Sequence, residues 1–170
     1  MWGNDMIRRL TTTAAIATMV AASAPALAVT ATPQASATAK ILRPLTLEAK
    51  QNLDFGTIVL SGTAFANQVV SISQTGVVSC GTTPGLMTCI GAPQAAVYKL
   101  TGTNNAIVKI TCPAFSMGTL NFTPNFPATV DLGATGNNGT NFSIGGSIAI
   151  SSTTPDGVYT GQFNVTADYQ

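Results

Sequence analysis

Val29-Thr-Ala-Thr-Pro-Gln-Ala-Ser-Ala-Thr-Ala-Lys-Ile-Leu-Arg-Pro-Leu-Thr-Leu-Glu-Ala-Lys50 is the stretch on which the reading of this chain turns. Its odd positions are Val29, Ala31, Pro33, Ala35, Ala37, Ala39, Ile41, Arg43, Leu45, Leu47 and Ala49, and ten of these eleven are apolar. Nine of the eleven even positions are polar, the exceptions being Leu42 and Pro44. A period of two is the signature of an extended strand with one apolar and one polar face. Strands commonly run about 5–6 residues, and this pattern continues for roughly 20. Chain termini need no such order. The pattern therefore asks for a partner that buries the face running from Val29 to Ile41.

The other end of the chain repeats the pattern. Tyr159, Gly161, Phe163, Val165, Ala167 and Tyr169 share one face, and Thr160, Gln162, Asn164, Thr166 and Asp168 share the other. Between the two ends almost nothing has helical period. Thr, Val, Ile, Phe and Tyr are punctuated at short intervals by Gly, Asn, Pro and Asp, as in a chain of short strands. Strands are expected at 37–47, 54–60, 68–73, 76–79, 95–101, 106–112, 119–123, 129–132, 147–151 and 157–169. Residues 133–141, Gly-Ala-Thr-Gly-Asn-Asn-Gly-Thr-Asn, read as a solvated loop. Asp54-Phe55-Gly56 reads as a turn, Gly145-Gly146 as a bend, and Asp156-Gly157 as a hairpin turn. Many short strands at this spacing imply an all-β sandwich or barrel in one domain.

Composition removes most catalytic chemistry. The 170 residues include no histidine, so no imidazole serves a nucleophile or a metal. Glu48 is the only glutamate. Asp54, Asp131 and Asp156 lack the spacing of a calcium loop. Lys and Arg total 7 against 6 Asp and Glu, which gives no basic field for nucleic acid. No enzyme activity, cofactor or metal site is expected.

Residues 1–28 read as a secretory leader. Arg8-Arg9 precedes an apolar run, and Ala26-Leu27-Ala28 fits a cleavage site. The run is too short and too rich in threonine to span a bilayer. Export permits disulfides. Cys80 and Cys89 flank Gly-Thr-Thr-Pro-Gly-Leu-Met-Thr, a turn-rich insert that suits a bridge across a hairpin mouth. Pairing of Cys112 with either one is the alternative.

Several motifs in order resemble a family of exported bacterial domains described as domain of unknown function 4402. They are Leu45-Thr46-Leu47, then Leu53-Asp54-Phe55-Gly56-Thr57-Ile58, then Tyr98-Lys99-Leu100-Thr101-Gly102. Phe142-Ser-Ile-Gly-Gly146, Gly157-Val-Tyr-Thr-Gly161 and the ending from Val165 to Gln170 follow. The cysteine insert departs from the family pattern. The resemblance implies β-sandwich subunits similar to those of chaperone–usher pili.

That implication joins the pattern of the two ends. The leading expectation is a fimbrial subunit, an incomplete immunoglobulin-like β-sandwich that lacks one strand and receives it from the N-terminal extension, residues 29–43, of a neighbouring copy. The domain proper would be 44–170. Donor and interface positions are Val29, Ala31, Ala35, Ala37, Ala39, Ile41, Leu45 and Leu47, with Tyr159, Phe163, Val165 and Tyr169 in the C-terminal strand. Main-chain bonds would supply affinity and alternate side chains would fill pockets. The expected partners are copies of the chain, a periplasmic chaperone and an outer-membrane usher, with no nucleic acid and no membrane insertion. The expected place is the cell surface, and the expected outcome is attachment or biofilm formation. The alternatives are an ordinary first strand paired within its own domain, a monomeric secreted binding module for glycan or surface, and an outer-membrane barrel.

Overall fold

The computed structural model describes residues 31–170, with the backbone alone at Thr135. The expected leader, 1–28, and Val29 lie outside the described residues. The chain divides into two units, Met1–Ala39 and Lys40–Gln170. In the first, residues 31–39 are exposed and hold no regular secondary structure. The second contains every strand among the described residues.

One sheet has seven antiparallel strands. Its first half centres on β6 (Ala96–Thr101). β1 (Thr46–Gln51) pairs along one edge with Leu47 opposite Leu100, and β11 (Thr140–Ile150) along the other with Phe142 opposite Tyr98. β11 continues into the second half, where β3 (Gln68–Ile72) and β9 (Leu120–Asn125) flank its last residues. β4 (Val78–Cys80) extends the sheet from β3, and β8 (Phe115–Met117) from β9.

The facing layer comes in two pieces. β10 (Thr129–Asp131), β7 (Ile107–Thr111) and β12 (Thr166–Tyr169) make a three-stranded sheet. β2 (Thr57–Leu60) and β5 (Met87–Ile90) make a two-stranded one. The architecture is thus an all-β sandwich, as the alternating sequence predicts. Within β7 the alternation is plain, with Val108 and Ile110 buried and Lys109 and Thr111 exposed.

Two cores follow the two pieces. Leu100, Val108, Ile110, Leu132 and Ile144 fill the first, between β6–β11 and the three-stranded sheet. Val70, Met87, Leu120, Phe122, Ile148 and Ile150 fill the second, beneath β2–β5. Phe122 is fully buried and is the hub of the second core. Its ring lies 5.0 Å from Phe115, 5.8 Å from Phe163 and 6.1 Å from Phe55, so it ties three separate segments together.

Several elements differ from the sequence reading. The strand expected at 37–47 begins only at Thr46. Arg43-Pro44 interrupts it, because proline offers no ladder N–H. The inward parity changes there: Ile41 is 91% exposed while its neighbour Leu42 is half-buried. Leu45 and Leu47, assigned to a donor face, instead pack into their own domain's first core, with Leu47 opposite Leu100. The strand expected at 157–169 forms only over Thr166–Tyr169, leaving Tyr159, Phe163 and Val165 outside it. Asp156-Gly157 consequently closes no hairpin. β5 and β8 were not foreseen, and β11 starts seven residues earlier than expected. Gly145-Gly146 makes no break in β11. A Cβ at Gly145 would strike the Ile72 carbonyl, and one at Gly146 the Phe122 ring, so these glycines admit close neighbours. The loop expected over 133–141 holds a 3-10 turn, Gly133–Thr135.

The hub makes a direct prediction. Phe122→Ala should lower unfolding free energy by about 3–5 kcal/mol in chemical denaturation. A loss below ~1 kcal/mol would remove Phe122 from the centre of the packing.

Candidate functional site

The break in the second layer is also a concave feature. It is a groove of about 1240 Å³ bounded by residues 52–60 on one side and 154–164 on the other.

The first wall is set by a turn. The Asp54 carboxylate accepts the Gly56 N–H at 2.8 Å, and Asp54 exchanges two main-chain hydrogen bonds with Gln94. Gly56 has φ +72°, and a Cβ there would lie 2.6 Å from the Ile90 carbonyl oxygen. Only glycine fits that conformation and approach. The turn sends Phe55 down to Phe122 and starts β2, as the Asp-Phe-Gly reading expects. β2 pairs with β5 on one edge only.

The second wall is a strap, residues 157–165. Among the described residues it joins no ladder and makes no main-chain hydrogen bond. Side chains hold it down instead. Phe163 stacks 5.8 Å from Phe122 and 5.6 Å from Phe115. A Cβ at Gly161 would lie 2.5 Å from the Phe115 ring and 2.8 Å from Met117, so the strap rides directly on β8. The Tyr159 hydroxyl donates to the Pro155 carbonyl at 2.6 Å.

Buried Leu120, Ile148 and Ile150 lie beneath. Leu53, Phe55, Ile58, Leu60, Phe115, Met117, Tyr159 and Phe163 line the groove half-buried. The charged lining groups are two carboxylates, Asp54 and Asp156. The groove is therefore a trough with an apolar floor, unpaired main chain along both rims and two carboxylates at its margin.

Of the residues singled out in the sequence, Tyr159 and Phe163 line this groove. Val165 and Tyr169 pack against the first core. Ala31, Ala35, Ala37 and Ala39 are exposed and lie in the first unit. The wall from 52 to 60 and the floor residues Leu120, Ile148 and Ile150 escaped the sequence reading. The available signal was the length of the apolar face in 157–169, which is more than β7 alone covers.

Cys80 and Cys89 form the disulfide that the insert suggested, with a Cα separation of 5.8 Å. It joins β4, at an edge of the large sheet, to β5 of the two-stranded sheet. Cys112 is free and buried, and burial pushes its thiol up from the ordinary range. Tyr98 is also pushed up, by burial first and by proximity to Cys112 second. A raised thiol stays protonated and is a poor nucleophile. Among the described residues no three His, Cys, Asp or Glu side chains gather in a way that would hold a metal ion. No helix among them is long and apolar enough to cross a membrane.

A family model described as domain of unknown function (DUF4402) matches residues 45–169, and the chain belongs to that family. The match takes in the twelve strands of the described residues and both walls of the groove. No curated protein and no solved structure matches the chain.

The cysteine arrangement predicts thiol counts. The native protein should leave Cys112 unmodified by an alkylating reagent, and denaturation without reductant should expose one thiol per chain. Three thiols in that sample would contradict the bridge.

Proposed function

We propose that this member of the DUF4402 family is a structural subunit of a cell-surface fimbria, assembled by exchange of strands between copies. The observation that carries the reading is the split layer. Joining β10–β7–β12 and its strap to β2–β5 takes one further strand, and the groove between them is where that strand would lie. Both rims offer unpaired main chain to it, which is the requirement for strand addition.

The occupant is the N-terminal extension of a second copy. Residues 29–41 alternate apolar with polar, as a strand lying over an apolar trough must. At about 3.3 Å per residue the extension is longer than the ~30 Å strap and fills the groove end to end. Ala35, Ala37 and Ala39 suit shallow sites, and Ile41 a deeper one. The charges agree as well. Residues 29–43 carry Lys40 and Arg43 and no acid, while the groove margin carries Asp54 and Asp156. Leu45 and Leu47 are excluded from the donor, because their own domain uses them.

Such a subunit exposes its trough until another copy fills it. It therefore needs a periplasmic chaperone to cover the groove and an outer-membrane usher to exchange strands, and the leader at 1–28 supplies export. Polymer formation serves attachment or biofilm growth. The lack of histidine and the sparse carboxylates agree with a structural task.

Replacing Ala37 or Ile41 by Asp places a carboxylate against an apolar floor. The cost of at least ~3 kcal/mol weakens donation about 100-fold or more. Electron microscopy of sheared cell-surface material should show fibres from the wild type and none from either variant, with export unchanged. Wild-type-like fibres from both variants would contradict the proposal.

A further inference from the structure

The penultimate residue of the chain bears on how the donated segment leaves its own domain, and the inference rests on the strand-exchange reading. Tyr169 closes β12, and its hydroxyl reaches the turn between β6 and β7. There it accepts the Thr103 main-chain N–H at 2.7 Å and donates to the Arg43 carbonyl at 2.7 Å. The Arg43 N–H in turn donates to the Thr103 Oγ1 at 2.7 Å. Both main-chain polar groups of Arg43 are therefore held, one by Tyr169 and one by Thr103.

Gly102 makes room for this contact. A Cβ there would lie 2.6 Å from the Tyr169 hydroxyl, 2.8 Å from Leu45 and 2.9 Å from Leu132. No other residue lets the hydroxyl in. Pro44 follows with its φ fixed by the ring, and Leu45 packs into the first core. Ile41, two residues before Arg43, is 91% exposed. Tyr169, Thr103 and Arg43 do not line the groove.

We infer that Tyr169, Thr103 and Gly102 form a clamp on Arg43 that fixes the point at which the N-terminal extension is rooted in the domain. Tyr169 is thus a positioning residue for donating the strand and has no part in accepting one. Only Leu42 separates the clamp from Ile41, so the donated strand starts within about 7 Å of a fixed point. A linker this short leaves successive copies little freedom to rotate, and the fibre is stiff.

The test uses Tyr169→Phe, which removes the hydroxyl and keeps the ring, and Thr103→Val as a second variant. For solution work each is placed in the full chain with Ala37→Asp, which blocks donation, and the groove is offered a synthetic peptide of residues 29–43. Peptide affinity should stay within about twofold of the parent. The Arg43 amide order parameter should fall from about 0.85 to below about 0.6 in both variants. Fibres of otherwise wild-type Tyr169→Phe chains should lose at least threefold in persistence length by electron microscopy. An Arg43 that stays ordered in both variants overturns the clamp. An Arg43 that loosens while fibre stiffness is unchanged overturns its positioning role. Failure of the Ala37→Asp parent to bind the peptide, or of wild-type chains to form fibres, overturns the strand-exchange reading itself, and the order parameter still reports on the clamp separately.

Discussion

A strand edge carries a row of N–H and C=O groups that must find partners, and this constraint governs the molecule. The large sheet meets it along β6, β11 and β3, each paired on both sides. The facing layer meets it in two separate pieces. Between them run the outer edge of β2 and the strap at 157–165, with no ladder joining them among the described residues. The half-buried apolar side chains along the groove follow from the same break. They are the inward face of a layer left open between its two pieces.

The groove keeps its shape through contacts within the domain. Phe122 receives Phe55 from one wall and Phe163 from the other, so a single ring from β9 spaces the two walls. The Cys80–Cys89 bridge fastens β5, and through it β2, to the edge of the large sheet. Gly161 lets the strap sit directly on Phe115 and Met117. A trough held in this way is preorganised, so under the strand-exchange proposal an incoming strand would spend little of its binding free energy on ordering the acceptor. The proposed donor would be prepared differently, with its root held at Arg43 and its alternating side chains specified by the sequence.

The fold class was legible because a period of two survives in the sequence whatever a strand pairs with. Asp54-Phe55-Gly56 was legible because its turn chemistry is local, and Cys80 and Cys89 because the insert between them is rich in turn residues. The groove was less so. Alternation states that a face is buried and is silent on which edge lies beside it. That is why one unbroken face was read from Val29 to Ala49, when Arg43-Pro44 divides it into an extension and β1. It is also why 157–169 read as one long strand, when among the described residues only its last four pair with another strand. Gly145-Gly146 was misread for a related reason. A glycine's need is set by its neighbours in space, here Ile72 and Phe122, and these are distant in sequence.

The most direct test of strand completion is amide hydrogen exchange in the full chain carrying Ala37→Asp, with and without a peptide of residues 29–43. Completion by this segment predicts new protection at Thr57–Leu60 and at 157–165, the two rims of the groove. Unchanged exchange on both rims at saturating peptide would contradict it.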